Sequence, residues 1–408
     1  MSAIKFVRFD PAGCAFPKPV VGLLPDSASG RLGTACDATW ATVLDNQQVI
    51  HYSRGRYALR EAYRRATEGH GLVFLPAYHC RTMVDPAVDL GLKVIFFPIT
   101  ESLSPDLPGL AECFRSAGLG DSVNSAVLVV PHYFGFRQPL AALRALCARH
   151  GVQIIEDCSH ALINSPSQPG LGAEGDFMIA SPYKFFGSED GGALVQLNPL
   201  DRASNPLHGA DWFHAGKAWV RLALQRFQPV KKNAVRKEIE ALSVKVAQLR
   251  KSPGAKGVDI LQSASLPSAQ YDAAEAQNAA LRASRWLIAH VDIADLANAR
   301  RENYKIWLKC VESLPGCRAL YPTLPADSVP YMFPLILDNP EMHFYLLKRL
   351  GVPVGRWDEI AVSDCSVAKC YRLNLIHLPC YQGLNFTAMS WLTGAVTAVL
   401  LSGEKKSA

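Results

Sequence analysis

The sequence predicts an α/β protein, with a mostly parallel sheet covered by helices on both faces and a smaller α+β C-terminal domain. Three observations carry this. Between residues 72 and 195, apolar β-branched runs interleave with helical patterns: GLVFLP, LKVIFFP, AVLVVPHYFG, LAALRALCARHG, VQIIED, DFMIAS and GGALVQL. Several of these runs are apolar at nearly every position, which suits strands buried on both faces. After residue 197 the text turns helical and basic, and after residue 263 it becomes a long helical stretch followed by VPYMFPLIL, EMHFYLLKRLG and a last strand and helix.

Taken in order, residues 1–35 read as an N-terminal segment and residues 36–262 as the large domain. SRGRYALREAYRRATE is a turn followed by a helix of good propensity. Residues 205–260 form a basic helical insertion of two helices broken near Pro229; the second carries Val235, Ile239, Leu242, Val246 and Leu249 at helical spacing and needs a surface to cover them. Residues 263–408 form the small domain with its connecting helices. WLTGAVTAVLL near the C-terminus is too short for a bilayer span and reads as a packed helix.

Composition fits a globular enzyme: 408 residues, 49% apolar and 19% charged. The N-terminus lacks a basic region followed by an apolar core, so a cytoplasmic protein is expected. Eleven scattered cysteines, with no C-x-x-C pair or Cys/His cluster, give neither a disulfide framework nor a metal site. The net charge of +6 is local, because residues 215–251 hold ten Lys/Arg against Glu238 and Glu240. The bland account of that run is a solvated face over a packed stripe. Sharper ones are contact with an anionic substrate, an acidic carrier protein or an anionic membrane surface; nucleic acid is not expected, since no recognition module accompanies the charge.

The chemistry converges on SPYKFFGSEDGGALV, residues 181–195, where Lys184 sits among aromatic residues ahead of a glycine pair. GLGAEG at 170–175 matches G-x-G-x-x-G, yet it follows a loop and precedes a strand, so it does not make a dinucleotide site. In VQIIEDCSH, Asp157 ends an apolar parallel strand, the place where open α/β sheets bind ligands, and a buried carboxylate there needs a cationic partner. Lys184 follows the next strand and can reach the same crevice. His132 and Tyr133, at another strand end, either line the site or pack.

These segments, with VIHYSRGRYALREAY, LVFLPAYHCRTMVDPAVDLGLKVIFFPI, RRENYKIWL and LPCYQGLN, resemble the DegT/DnrJ/EryC1/StrS aminotransferases. The likeness runs in order from about Tyr52 to the C-terminal helix, with a gap at 199–263. It implies the fold-type-I architecture of pyridoxal-phosphate (PLP) enzymes, a homodimer, and transfer of an amino group from an amino acid such as glutamate to a keto-sugar nucleotide. By the same resemblance Lys184 forms the Schiff base with pyridoxal 5'-phosphate and acts as the proton-moving base, while Asp157 keeps the pyridine nitrogen protonated. His160 contacts the cofactor's 3′-oxygen or phosphate. Ser181 and the backbone N–H groups of Gly55 and Arg56 hold the phosphate. The ring-stacking residue falls in PAYHC, on His79 ahead of Tyr78. Two rival readings keep the cofactor: a non-sugar or carrier-bound carbonyl substrate, and a PLP-binding regulator without turnover.

Overall fold

The computed structural model describes residues 3–11, 15–33, 48–119, 125–162, 171–197, 206–227, 241–251 and 257–402. Its first half runs β1 (Ile4–Asp10), β2 (Val49–Tyr52), α1 (Gly55–Thr67), β3 (Leu72–Pro76), α2 (Arg81–Asp89), β4 (Lys93–Phe97), α3 (Leu107–Ser116), β5 (Ala126–Pro131), α4 (Ala141–His150), β6 (Val152–Cys158), β7 (Phe177–Ala180), α5 (Tyr183–Phe186) and β8 (Gly192–Gln196). The second half continues α6 (Trp212–Phe227), α7 (Leu242–Lys251), β9 (Val258–Ala264), α8 (Arg282–His290), α9 (Ile293–Val311), β10 (Cys317–Ala319), β11 (Met332–Leu337), α10 (Pro340–Leu350), β12 (Glu359–Ala361), α11 (Ser366–Asn374), β13 (Leu375–Pro379) and α12 (Phe386–Leu401).

Seven strands make the central sheet in the order β2-β8-β7-β6-β5-β3-β4. Strands β3 to β7 are parallel, and β8 runs antiparallel to both β7 and β2. Along β5, Ala126, Leu128 and Val130 enter one hydrophobic core while Val127 and Val129 enter the other, on the opposite face. A strand with a core on each side has no solvent face to keep polar, which is why its sequence is apolar throughout. The α/β fold with a mostly parallel sheet is therefore as expected from the sequence.

The C-terminal part packs the antiparallel sheet β10-β11-β13 with α9, α11 and α12, around the fully buried Trp307 and Trp391. Helix α12 starts at Asn385, whose side chain accepts the Ala388 N–H at 2.9 Å. Its apolar run is buried in protein, and no described helix is long and apolar enough to cross a membrane. Helix α7 has the partner that its stripe called for: Leu242 and Val246 are buried where it packs on α10 and α12. Val235, Ile239 and Pro229 lie outside the described residues. A third sheet, β12-β1-β9, pairs the N-terminal strand with residues 258–264 over seven registered positions.

Strand β6 carries two adjacent carboxylates that its pleat sends to opposite faces. Glu156 is fully buried: Oε1 accepts the Glu174 and Gly175 N–H groups at 2.6 and 2.7 Å, and Oε2 accepts the Gly172 N–H at 2.9 Å and His132 Nε2–H at 3.0 Å. His132 Nδ1 accepts the Gln138 N–H, so its proton sits on Nε2 and faces Glu156. The glycine-rich amides of 172–175 thus wrap a carboxylate of the chain itself. Burial pushes the Glu156 carboxyl up, but the His132 bond and the Gly175 and Glu174 amides outweigh it and hold it below its ordinary value. A depressed folded value adds stability above the unfolded pKa and loses it as the pH falls through the folded one. Glu156→Gln should therefore lower stability in urea by about 2–3 kcal/mol at neutral pH, with the gap to wild type closing below about pH 4. A gap that persists unchanged into acid would contradict the ionised-carboxylate account.

Candidate active site

The parallel strands β5, β6 and β7 end on one edge of the sheet, and the N-terminus of α1 comes to the same edge. Between them lies a cleft. Asp157, His160, Ser181, Lys184, Gly55 and Arg56 all line it, so six of the eight expected residues come together there.

Asp157 is 6% exposed. Its Oδ1 accepts the Ser159 N–H at 2.8 Å, and no protein donor is recorded for Oδ2 among the described residues. Lys184 lies on the single turn α5, with its N–H on the Ser181 carbonyl at 3.0 Å. Its Nζ is 5.5 Å from the centre of the Tyr331 ring and has no hydrogen-bond or ion-pair partner among the described residues. His160 stacks on that same ring at 4.3 Å. Burial, then the charges of Lys184 and His377, hold its imidazole well below the ordinary range, so it faces Lys184 as a neutral ring.

Gly55 opens α1, and the first N–H groups of a helix have no acceptor within it. A Cβ at Gly55 would lie 2.1 Å from Ser181 Oγ, so only glycine lets the helix terminus approach the serine. Ser181 Oγ bonds Ser159 Oγ at 3.0 Å. Gly192 has a matching reason: a Cβ there would lie 2.3 Å from the Arg54 carbonyl. The outcome is a small concave group of N–H and O–H donors at the positive end of a helix dipole. The Arg56 side chain is turned aside to the Gln270 carbonyl.

Tyr78 and His79 are placed elsewhere. His79 is fully buried, stacked on Phe96 at 4.8 Å, with Nδ1 on the carbonyls of Pro76 and Ala77 and Nε2 accepting the Ala361 N–H at 3.3 Å. Burial lowers its pKa to about 4. Tyr78 is also fully buried, 3.2 Å from His377 Nε2. Its ring lies 4.9 Å from that of Trp357, which is the side chain that reaches the cleft. His132 and Tyr133 pack: the first serves Glu156, and the second donates to the Tyr78 carbonyl.

Two functional placements are absent from the sequence reading. Trp357 arrives from the stretch before β12, and its only signal is a lone tryptophan after the helix-ending Gly351. Arg300 of α9 is fully buried and donates to the carbonyls of Pro330 and Tyr331 at 3.1 Å and of Lys184 and Phe185 at 3.4 Å. Its Nε reaches Gln382 Oε1 at 2.9 Å, and Gln382 donates back to the Phe185 carbonyl at 2.7 Å. Burial lowers the Arg300 pKa to about 10. RRENYKIWL and LPCYQGLN, distant in sequence, thus grip the turn that carries Lys184.

Residues 28–203 match the DegT/DnrJ/EryC1/StrS aminotransferase family. A UDP-N-acetyl-3-dehydro-alpha-D-glucosamine 3-aminotransferase of Acidithiobacillus ferrooxidans is 25% identical over 183 residues, 43% of this chain and 47% of that protein, so the match spans about half of the relative's length. PseC of Helicobacter pylori, an aminotransferase involved in the biosynthesis of pseudoaminic acid, superposes with a TM-score of 0.59 at 13% identity over 95% of this chain and 99% of that one. NtdA of Bacillus subtilis, solved with bound cofactor PMP, superposes with a TM-score of 0.56 at 15% identity over 87% and 74% of the two chains. Residues 28–203 are therefore similar to the DegT/DnrJ/EryC1/StrS aminotransferase family, and the chain shares the fold of these solved aminotransferases.

Proposed function

We propose that this protein is a PLP-dependent aminotransferase that moves an amino group from an amino acid, glutamate in the first instance, to a keto-sugar nucleotide, with Lys184 as the point of cofactor attachment. One observation carries this reading: a lysine amine and a buried carboxylate oxygen, neither with a hydrogen-bond partner among the described residues, share a cleft with a helix N-terminus.

The residues fit that cofactor. Asp157 Oδ2 is a buried anionic acceptor in need of a donor, which a protonated pyridine nitrogen would be. The Gly55 and Arg56 N–H groups with Ser181 Oγ suit a phosphate, and the Cβ-free approach at Gly55 gives them room. Bound there, PLP would supply a carbonyl that takes up amines and a ring that withdraws electrons from the carbon losing a proton.

The chain's own work is then defined. The Lys184 amine would act as the base that takes the α-proton of the amino donor and passes it to the cofactor carbon, and in the second half would run the same transfer in reverse, delivering a proton to the acceptor carbon that gains the amino group. Neutral His160 adds no second positive charge beside it. Asp157, fixed by the Ser159 N–H, keeps the ring nitrogen protonated. Trp357 gives the cleft a flat apolar wall, suited to the face of a sugar ring. The acceptor class rests on the relative named for a UDP-linked 3-keto sugar.

Lys184→Ala should fold normally, yet release of 2-oxoglutarate from glutamate should fall about a thousandfold or more. Turnover that survives the substitution would remove Lys184 from the chemistry. Asp157→Asn should weaken PLP binding, read by absorbance titration, and lower the same half-reaction by about a hundredfold. With ¹⁵N-glutamate, mass spectrometry should find label in the amino sugar made from a UDP-linked 3-keto sugar. Donor conversion without any labelled sugar would favour the non-sugar carbonyl instead.

A further inference from the structure

Four basic side chains line the cleft: Arg54, Arg56, His160 and Lys184. Three of them have an occupation. The Arg56 guanidinium is held by the Gln270 carbonyl, His160 is stacked on Tyr331 as a neutral ring, and Lys184 is the amine of the proposed chemistry. Arg54 is left over. Among the described residues its guanidinium has no hydrogen-bond acceptor and no ion-pair partner; what it has is the Tyr183 ring, whose centre lies 5.0 Å from its Cζ. A guanidinium over an aromatic face is oriented by that contact, which uses none of its N–H donors.

The side chain is also anchored at its root. Arg54 has extended backbone, its carbonyl accepts the Tyr57 and Ala58 N–H groups at 3.1 and 3.3 Å, and the close approach of Gly192 leaves no room for a Cβ beside it. Ser53, one residue earlier, is tied to the Asn278 carbonyl through its N–H and to the Gly191 N–H through its carbonyl. A fixed root and a stacked plane hold a fork of donors ready for a planar oxyanion, with little side-chain freedom left to lose on binding.

The surroundings narrow the choice of oxyanion. Arg54 also borders an adjoining hollow that is lined by Glu189, Asp190, Asp211 and Glu275. These carboxylates are engaged within the chain: Glu189 with Arg221, Asp190 with the Leu281 N–H, Asp211 with the His214 N–H and Glu275 with the Tyr57 hydroxyl. A nucleoside diphosphate laid along that hollow would meet all four negative groups. A carboxylate carried a few bonds from the carbon that reacts at Lys184 needs only the cleft.

We propose that Arg54 binds the carboxylate of the amino donor. The assignment rests on the aminotransferase reading, yet it predicts a binding property that can be measured without turnover.

The test is isothermal titration of glutarate, an unreactive dicarboxylate, into the full chain loaded with pyridoxal phosphate, alongside single-turnover conversion of glutamate. Arg54→Gln should weaken glutarate binding about ten- to a hundredfold, the worth of a hydrogen bond to a charged donor. It should raise the glutamate concentration for half-maximal rate by a similar factor, with the limiting rate changed less than about threefold. Arg54→Lys should fall between wild type and Arg54→Gln, since an ammonium keeps the charge and loses the fork. Affinities for pyridoxal phosphate and UDP, and thermal unfolding, should be unchanged. Glutarate bound equally by wild type and Arg54→Gln, or not bound by wild type, would overturn the proposal. So would a greater loss of affinity for pyridoxal phosphate or UDP than for glutarate, which would assign the guanidinium to a phosphate. Failure of the aminotransferase reading has a different signature: wild type would leave glutamate unconverted while glutarate binding still depended on Arg54.

Discussion

The geometry of the cleft depends on one buried guanidinium. Among the described residues Arg300 has no carboxylate partner; its hydrogen-bond partners there are four backbone carbonyls and an amide oxygen drawn from three separate stretches of chain. Removing a charge from water is costly, and only a full set of acceptors offsets it, at ~2 kcal/mol for each bond to a charged donor. Such a set exists only when α9, the 330–331 segment, Gln382 and the turn bearing Lys184 are all in place. The turn is too short to fix its own conformation, so the C-terminal part of the chain does so through Arg300. Tyr331, one of the residues held, is also the ring against which His160 and Lys184 lie.

Strand β6 shows how one piece of backbone separates structure from chemistry. Glu156 has four donors on its two oxygens and can take no ligand. Asp157, one residue on and on the other face, has a single donor among the described residues. Neighbouring carboxylates of the same strand thus differ in their hydrogen-bond environment, an outcome that follows from the period of two along a strand.

The central sheet was legible because strands buried on both faces leave continuous apolar runs, and the runs at 126–131 and 152–155 are of that kind. Lys184, Asp157 and Ser181 were legible because they sit at or just beyond strand ends in a fixed order. Pairing of β1 with β9 was not, since its partners are some 250 positions apart and neither strand has a strong alternation of its own. The aromatic wall was also misplaced. The turn after β3 directs His79 onto Phe96 and sends Tyr78 behind Trp357, a packing choice made by residues of β12 and α11 that no local pattern announces. Arg300 looked like one of several arginines on an amphipathic helix; its burial is decided by carbonyls from elsewhere.

The most direct test of the account is to incubate the protein with pyridoxal phosphate, reduce it with sodium borohydride, and map the modified residue by peptide mass spectrometry. The account predicts a pyridoxyl group on Lys184 and on no other lysine. Modification of a different lysine, or none, would contradict it and leave Lys184 as an ordinary side chain packed beside an aromatic ring.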